Sequence, residues 1–393
     1  MGQRFPVERG EKRKALLAAV ENVRETVASQ ANEAEEQATL PRATVDALIT
    51  SGLFTLKLPA ILGGAEADPV TQIEVIEALS AIEPSAGWCT MIGATGIGLP
   101  AAFLAEEAIA RIFAGGHIPT AALVAMPTGQ AVPTDGGYRL SGRWAFVSGV
   151  RHAQWITAGV RVVRPGDAPP EQRMMSFPAA AAQIHDNWRV AGLQGTGSCD
   201  VSLTEYVVPE AFTWEPLRAQ PQRGGPLYRL GLPGFVANEH AAFALGVGRR
   251  ALETVIALAQ SKRRGFTPSP SSLESRPAFQ RAIGVCELRL RAARALVLEI
   301  FDEAWTTLCA GQIPSPRLQA EMRSVAAFAT EVAADVTTQA FRYAGGAAVY
   351  RTQQLQRCLR DINVAAQHLI VSDIGYETLG QFALGLPDAD PMR

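Results

Sequence analysis

Apolar positions along the chain change period twice. From residue 11 to about 113 they recur at helical spacing. EKRKALLAAVENVRETVASQANEAEEQA is amphipathic and charged on one side. LPRATVDALITSG places Pro41 at a helix start and Gly52 at its end. DPVTQIEVIEALSAIE begins with Asp68 in the position of a cap and Pro69 behind it. Residues 118–215 switch to strand and turn signals: GGYRLSGRWAFVSG alternates around glycine turns, and QWITAGVRVV and SLTEYVVP are short β-branched runs punctuated by Pro, Gly and Asp. A compact β domain of roughly 100 residues fits this stretch. Residues 233–384 return to the helical period in longer pieces, near 235–262, 276–310, 315–344 and 352–380. Four long helices in succession predict a bundle. The expected class is therefore mainly α with a central β domain, divided at 1–117, 118–230 and 231–393.

One apolar stretch admits a second reading. Residues 84–105, PSAGWCTMIGATGIGLPAAFLA, carry no charge and are long enough to span a bilayer. Pro84, Pro100, four glycines and the polar Ser85, Thr90 and Thr95 interrupt them, so a buried helix lining a cavity is expected instead. Between Ala108 and Thr134 the only charge is Arg111, which makes a large apolar wall available. The whole chain of 393 residues is 48% hydrophobic and 19% charged, as suits a well-buried fold. A net charge of −2 gives no footprint for nucleic acid. Cys89, Cys199, Cys286, Cys309 and Cys358 are dispersed with no C-x-x-C pair, which points to reduced thiols in the cytoplasm. The polar N-terminus MGQRFPVERGEKRK lacks a signal-peptide core, and no membrane partner is expected.

Common catalytic motifs are missing. GLQGTGSCD (192–200) holds Gly195 and Gly197 but leads into a strand, so the dinucleotide fingerprint fails. There is no G-x-S-x-G elbow and no H-E-x-x-H, and the five histidines are too far apart for metal-ligand spacing. LRDINVAAQHLIV (359–371) stands out. Leu359, Ile362, Ala365, Ala366 and Leu369 recur at helical spacing, and His368 follows Asp361 by seven residues, about two turns. The two should share a face kept small by Val364 and Ala365. The residues alone leave two readings: a functional imidazole, or a core histidine bonded to Asp361.

Five segments carry a family resemblance. They are LPAILGGAEADP (58–69), YRLSGRWAFVSGVRHAQW (138–155), WRVAGLQGTGSCDVSLTEYVVPE (188–210), ALGVGRRALETVIALAQSKRRGF (244–266) and YAGGAAVYRTQQLQRCLRDI (343–362). Each has a local structural explanation. In this order, over nearly the whole chain, they resemble the acyl-CoA dehydrogenase superfamily. That resemblance implies an N-terminal helical domain, a β-barrel and a C-terminal four-helix bundle, with flavin between barrel and bundle and a homotetrameric assembly.

Dehydrogenases of the family need a glutamate base. Its two known positions correspond here to Leu369 and Val236, while Glu239 and Glu377 are out of register. The dehydrogenase loop signature is replaced by MPTGQAVPTDGG (126–137). The chain instead resembles the oxygenase components of two-component flavin monooxygenases, which include p-hydroxyphenylacetate hydroxylase, steroid-ring phenol hydroxylases and indole or dibenzothiophene oxygenases. RDINVAAQH matches their Arg-Asp-then-His pattern, and GLPDADPMR resembles their tail. The resemblance implies reduced FAD or FMN from a separate flavin reductase, O2, a flavin C4a-hydroperoxide, and oxygenation of a small aromatic or heteroaromatic substrate. It implies that His368, with Asp361 in the same catalytic set, faces the reactive edge of the flavin and either hydrogen-bonds the peroxide or deprotonates the substrate. Ser148 would meet flavin N5, Phe146 would pack on the ring, and Arg263 would contact the pyrophosphate. Gly345 and Gly346 would approach the cofactor of a neighbouring subunit. Thr95 replaces a substrate-binding histidine of the phenol hydroxylases, and with Met126 in the apolar wall TAALVAMP it favours an indole-like ring over a phenolate. Other readings are an acyl-CoA dehydrogenase with a displaced base, an N-oxygenase of an amino sugar, and a flavin-free scaffold.

Overall fold

The computed structural model describes residues 4–164, 171–216, 218–264 and 271–392. The N-terminal helices are α1 (Arg9–Ser29), α2 (Ala31–Gln37), α3 (Arg42–Ser51), α4 (Pro69–Ile82), α5 (Pro84–Phe103) and α6 (Glu106–Ile112). α3 follows Pro41 and stops at Gly52, whose φ of 82° continues no helix. α4 is capped by Asp68, whose carboxylate accepts the N–H of Thr71 at 3.2 Å. α5 has the length and hydropathy of a bilayer span, yet 83% of its apolar window is buried inside the fold.

The central strands are β1 (Ala121–Thr134), β2 (Gly137–Trp144), β3 (Trp155–Val162), β4 (Glu171–Pro178), β5 (Gln183–Ile184), β6 (Val201–Pro209) and β7 (Thr213–Trp214). They form one sheet in the order β5-β6-β2-β1-β3-β4-β7, mixed because β1 and β3 run parallel. The sheet curls strongly, in keeping with the expected barrel. Phe177 on β4 and Tyr206 on β6 have ring centroids 6.5 Å apart although three strands separate them in the sheet; in a flat sheet they would lie roughly 19 Å apart. Trp144 fills the inside of that curl. It is fully buried, its ring lies 5.9 Å from Phe177, and its Nε1–H donates to the Gly159 carbonyl at 2.8 Å. Space for the indole comes from missing side chains: a Cβ at Gly129 would overlap Cζ2 of Trp144, and one at Gly142 would crowd both that ring and the Gly129 backbone.

The remaining elements are α7 (Leu232–Ser261), β8 (Arg263–Arg264), β9 (Ser271–Ser272), α8 (Pro277–Cys309), α9 (Pro316–Ala344), α10 (Gln354–Ala365) and α11 (Ile374–Ala383). Three bundle helices fall where their periodicity puts them. The fourth is a correction: the helix expected over 352–380 breaks after Ala365. The N–H groups of Gln367 and His368 bond three residues back, to Val364 and Ala365, which tightens the last turn. His368 then turns extended, with φ −74° and ψ 136°, and its ring caps a short turn at Leu369–Val371.

Contacts divide the chain into two compact units, each assembled from separate stretches. One unit is Met1–Ala67, Trp88–Arg189 and Gln194–Tyr228; the other is Asp68–Gly87, Val190–Leu193 and Arg229–Arg393. α4 joins the bundle because its polar groups are matched there. Asn238 on α7 donates to Gln72 at 2.7 Å, and Arg294 on α8 pairs with Glu77 at 2.8 Å and Glu74 at 3.4 Å. Gly246 lets α7 press against α4, since a Cβ there would overlap the Glu77 carbonyl.

Gly129→Ala tests the packing around Trp144. Overfilling this core is expected to cost about 1–3 kcal/mol, read as a lower urea midpoint at unchanged m-value. An unchanged midpoint would mean that the indole has room to spare.

Candidate active site

In the first unit the chain leaves β2 at Trp144 and enters the turn 145–149. With Trp144 fixed, this turn has little freedom. Phe146 sits at φ 63°, a conformation that strains an aromatic residue, and is 72% exposed. Its ring meets the edge of Trp188 at 6.2 Å and 83°. Next along the turn, the Val147 N–H donates to the Cys199 carbonyl at 3.2 Å and the Gly149 N–H to the Thr196 carbonyl at 2.9 Å. The turns 146–149 and 196–199 are thereby fastened together.

Between those turns lies a row of hydroxyls. Trp88 Nε1–H donates to Ser148 Oγ at 3.0 Å. Ser148 Oγ is 2.7 Å from Ser198 Oγ, which is 2.7 Å from Thr196 Oγ1. Ser148 is 6% exposed, Ser198 3% and Thr196 fully buried, so the row lies inside the fold with Ser148 its least buried member. An exposed aromatic face beside a recessed hydroxyl suits a flat heteroaromatic ring with polar edge atoms. Ser198, Thr196 and Trp88 escaped the sequence reading, because a buried threonine and serine in a glycine-rich turn resemble ordinary turn chemistry.

The second unit holds His368 and Asp361, but not on one helical face. Asp361 is on α10, 1% exposed, and its Oδ1 accepts the Leu193 N–H at 2.6 Å. Arg360 reaches the Ala191 carbonyl at 3.2 Å, and a Cβ at Gly192 would overlap the Arg360 carbonyl. Asp361 is thus the clamp that fastens residues 190–193 to α10, with Leu193 held at φ 53°. His368 lies beyond the helix end and stacks on His240 of α7, ring centroids 4.2 Å apart and 30° between planes. Nothing local in the sequence marks His240 for this contact; only the approach of α7 makes it.

His368 Nδ1 accepts the Ile370 N–H at 3.3 Å, so the proton of the neutral ring sits on Nε2. Burial pushes its pKa down to about 4. At neutral pH it is therefore an uncharged imidazole protonated on Nε2, with Nδ1 engaged by backbone.

Of the other residues singled out in the sequence, Thr95 and Met126 lie in the first unit and Arg263, Gly345 and Gly346 in the second. Thr95 is buried in α5, 3% exposed, while Met126 is 54% exposed where β1 loses register with β3 between Val124 and Gly129. The cavity of about 250 Å³ in the same unit is lined by Phe54, His117, Ile118 and Thr120 among others, and contains neither. Gly345 ends α9 at φ 55° and ψ −140°, a conformation open essentially to glycine alone, and a Cβ at Gly346 would meet open space. The backbone of Arg263 pairs with Ser272, and its side chain lies outside the described residues. Among the described residues no group of three or more His, Cys, Asp or Glu is placed to hold a metal ion.

The tautomer of His368 is directly measurable. Its folded pKa of about 4 lies below the ordinary 6.5, so the unfolded chain binds the proton first. The stability tied to this group is complete above about pH 6.5 and lost as pH falls toward 4. Nitrogen-15 NMR between pH 5 and 8 should show a neutral Nε2–H ring that does not titrate; a midpoint near 6.5 would contradict the assignment.

Known proteins resemble this chain over nearly its whole length. The acyl-CoA dehydrogenase N-terminal domain model matches residues 10–123 and the C-terminal domain model residues 239–373. Indole-3-acetate monooxygenase of Pseudomonas putida is 30% identical over 371 residues, 94% of this chain and 93% of that protein. The flavin-dependent monooxygenase oxygenase subunit HsaA of Mycobacterium tuberculosis is 27% identical over 96% of this chain and 97% of its own length. The structure of XiaF from a Streptomyces species, in complex with FADH2 and glycerol, superposes with a TM-score of 0.89 at 27% identity, covering 98% of each chain. With both domain models matched and a full-length relative at 30% identity, the chain belongs to the acyl-CoA dehydrogenase family and, within it, to the flavin-dependent monooxygenases.

Proposed function

We propose that this chain is an oxygenase component that receives reduced FAD or FMN from a separate flavin reductase and oxygenates a small aromatic ring, indole-like ahead of phenolic. The observation that carries the reading is the exposed Phe146, held in strained backbone two residues from the recessed Ser148 hydroxyl. The residues fit a flavin: an aromatic face for its ring system and a hydroxyl that can donate or accept at a ring-edge nitrogen. The indole preference draws on the name of the Pseudomonas putida relative and on the place of Thr95 in the uncharged helix α5; the separate reductase draws on the "oxygenase subunit" in the name of the Mycobacterium tuberculosis relative.

Bound reduced flavin supplies the two electrons that split O2, one atom going to the substrate and the other to water. The chain's own residues bind and orient. Phe146 covers the ring, and Ser148 fixes its edge by a hydrogen bond. His368 belongs to the same set as an uncharged imidazole, its ring held by His240 and by the Ile370 N–H. Asp361 positions the 190–193 segment. Neither position of a dehydrogenase base carries an acid: Leu369 is 53% exposed and apolar, and Val236 is an aliphatic residue of α7. These absences support oxygenation over acyl-CoA dehydrogenation. A Cβ at Gly346 would meet open space, so backbone there can receive a second copy of the chain, which supports the tetramer.

Ser148→Ala should still bind flavin but release most of its oxygen as hydrogen peroxide, measured as peroxide formed per reduced flavin consumed. Coupling equal to the parent's would remove Ser148 from the mechanism. His368→Ala should lose product formation in single turnover with an indole panel by about 10²-fold or more, keeping flavin binding. Light scattering at micromolar concentration is expected to give four chains; a stable, active monomer would refute the shared site.

A further inference from the structure

We propose that the cavity of about 250 Å³ in the first unit is a second binding site, built for a small aromatic carboxylate whose ring carries an N–H. Neither Phe146 nor Ser148 lines it, so the proposal stands apart from the flavin reading. Sites for small ligands are apolar concavities with a few placed polar groups, and this cavity has that make-up. Ile49, Phe54 and Ile118 supply the apolar wall. The Phe54 ring is held from two sides: it lies 5.8 Å from the His152 ring, and a Cβ at Gly93 would crowd its edge at 2.8 Å. Phe54, Thr55 and Thr120 are buried, while Arg4 and His117 are exposed, so the lining runs from the interior to solvent.

The polar groups decide the ligand. Thr55 Oγ1–H donates to the Gly52 carbonyl at 2.7 Å, and Thr120 Oγ1–H to the His152 carbonyl at 2.6 Å. Each hydroxyl has spent its hydrogen, so it can offer a ligand lone pairs alone. His117 is set in the same way. Gln154 Oε1 accepts the Thr120 N–H at 3.1 Å, which fixes that atom as the amide oxygen. His117 Nε2, 3.1 Å from the same oxygen, therefore carries a hydrogen, and the lone pair of the neutral ring is on Nδ1. A lining of acceptors selects a ligand that donates. Arg4 adds the charge. Its guanidinium donates to the Thr50 carbonyl and stands over the Phe5 ring, 5.6 Å from the centroid, which orients it before any ligand arrives. Among the described residues no acid pairs with Arg4 or lines the cavity, so its other N–H groups can take a carboxylate. A carboxylate on Arg4, a ring against Phe54 and a ring N–H on a lone pair satisfy all of these groups together. An aromatic amine would set cation against cation.

Isothermal titration calorimetry on the full chain tests the site, with indole-3-carboxylate as the probe and indole and tryptamine as its neutral and cationic counterparts. Indole-3-carboxylate should bind best. Arg4→Gln should weaken it about tenfold and leave indole within about twofold of the parent. Ile118→Trp fills the cavity and should remove binding of both, at a melting temperature that shows the variant folded. Arg4 is exposed, so Arg4→Gln carries the test if the bulkier variant does not fold. Unchanged carboxylate affinity in Arg4→Gln would overturn the proposal, as would tryptamine binding as tightly as indole-3-carboxylate. Binding that persists in a folded Ile118→Trp lies elsewhere in the chain and overturns the cavity as the site.

Discussion

Two backbone hydrogen bonds, Val147 N–H to the Cys199 carbonyl and Gly149 N–H to the Thr196 carbonyl, hold the first constellation together. Without them the hydroxyls of Ser148, Ser198 and Thr196 would belong to separate turns. With them, three oxygens stand in a row at 2.7 Å intervals, stabilised by an indole N–H at one end. Buried hydroxyl networks are costly when partly bonded and rigid when complete. The bonds also explain the anchoring role of Trp144: its burial between glycines fixes where β2 ends, and so where the turn begins.

The second constellation depends on a helix that stops. Had α10 continued through residue 368, the imidazole would have projected from a regular face, with Nδ1 free to exchange its tautomer. The break turns His368 into the cap of a short turn. The Ile370 N–H then fixes the tautomer, and His240 fixes the plane. An imidazole buried and oriented in this way trades basicity for orientation and stays neutral across physiological pH.

Both units store strain near these groups. Phe146 and Leu193 occupy left-handed backbone that costs of order 1–3 kcal/mol each. In each case a neighbour supports the strained segment. The Phe146 turn is fastened to the 196–199 turn, and the Leu193 N–H is bound by the buried Asp361 carboxylate. Strain supported from the side presents a residue rigidly, as Phe146 is presented to solvent.

Local chemistry made much of the chain legible. The caps at Asp68 and Gly52, the long helices α7 to α9, the strand region and the ordered motif set depend on neighbours within a few residues, so the sequence determined them and the family they indicate. Ser148 and Phe146 were singled out only through the resemblance of their strand-and-turn segment to the family. What lay beyond was decided by contacts between distant segments. The apolar period of 359–371 reads as continuous helix because periodicity carries no information about the His368 ring capping its own turn. Asp361 finds its partner 168 residues away, His240 meets His368 only when α7 and the 369–371 turn pack, and Ser198 meets Ser148 across 50 residues. α4 joins the bundle because Arg294 and Asn238 bond its polar groups. Periodicity reports which face of an element is apolar; the partner that face meets, and hence the tautomer, the clamp and the hydroxyl row, is set only when the tertiary structure closes those long loops.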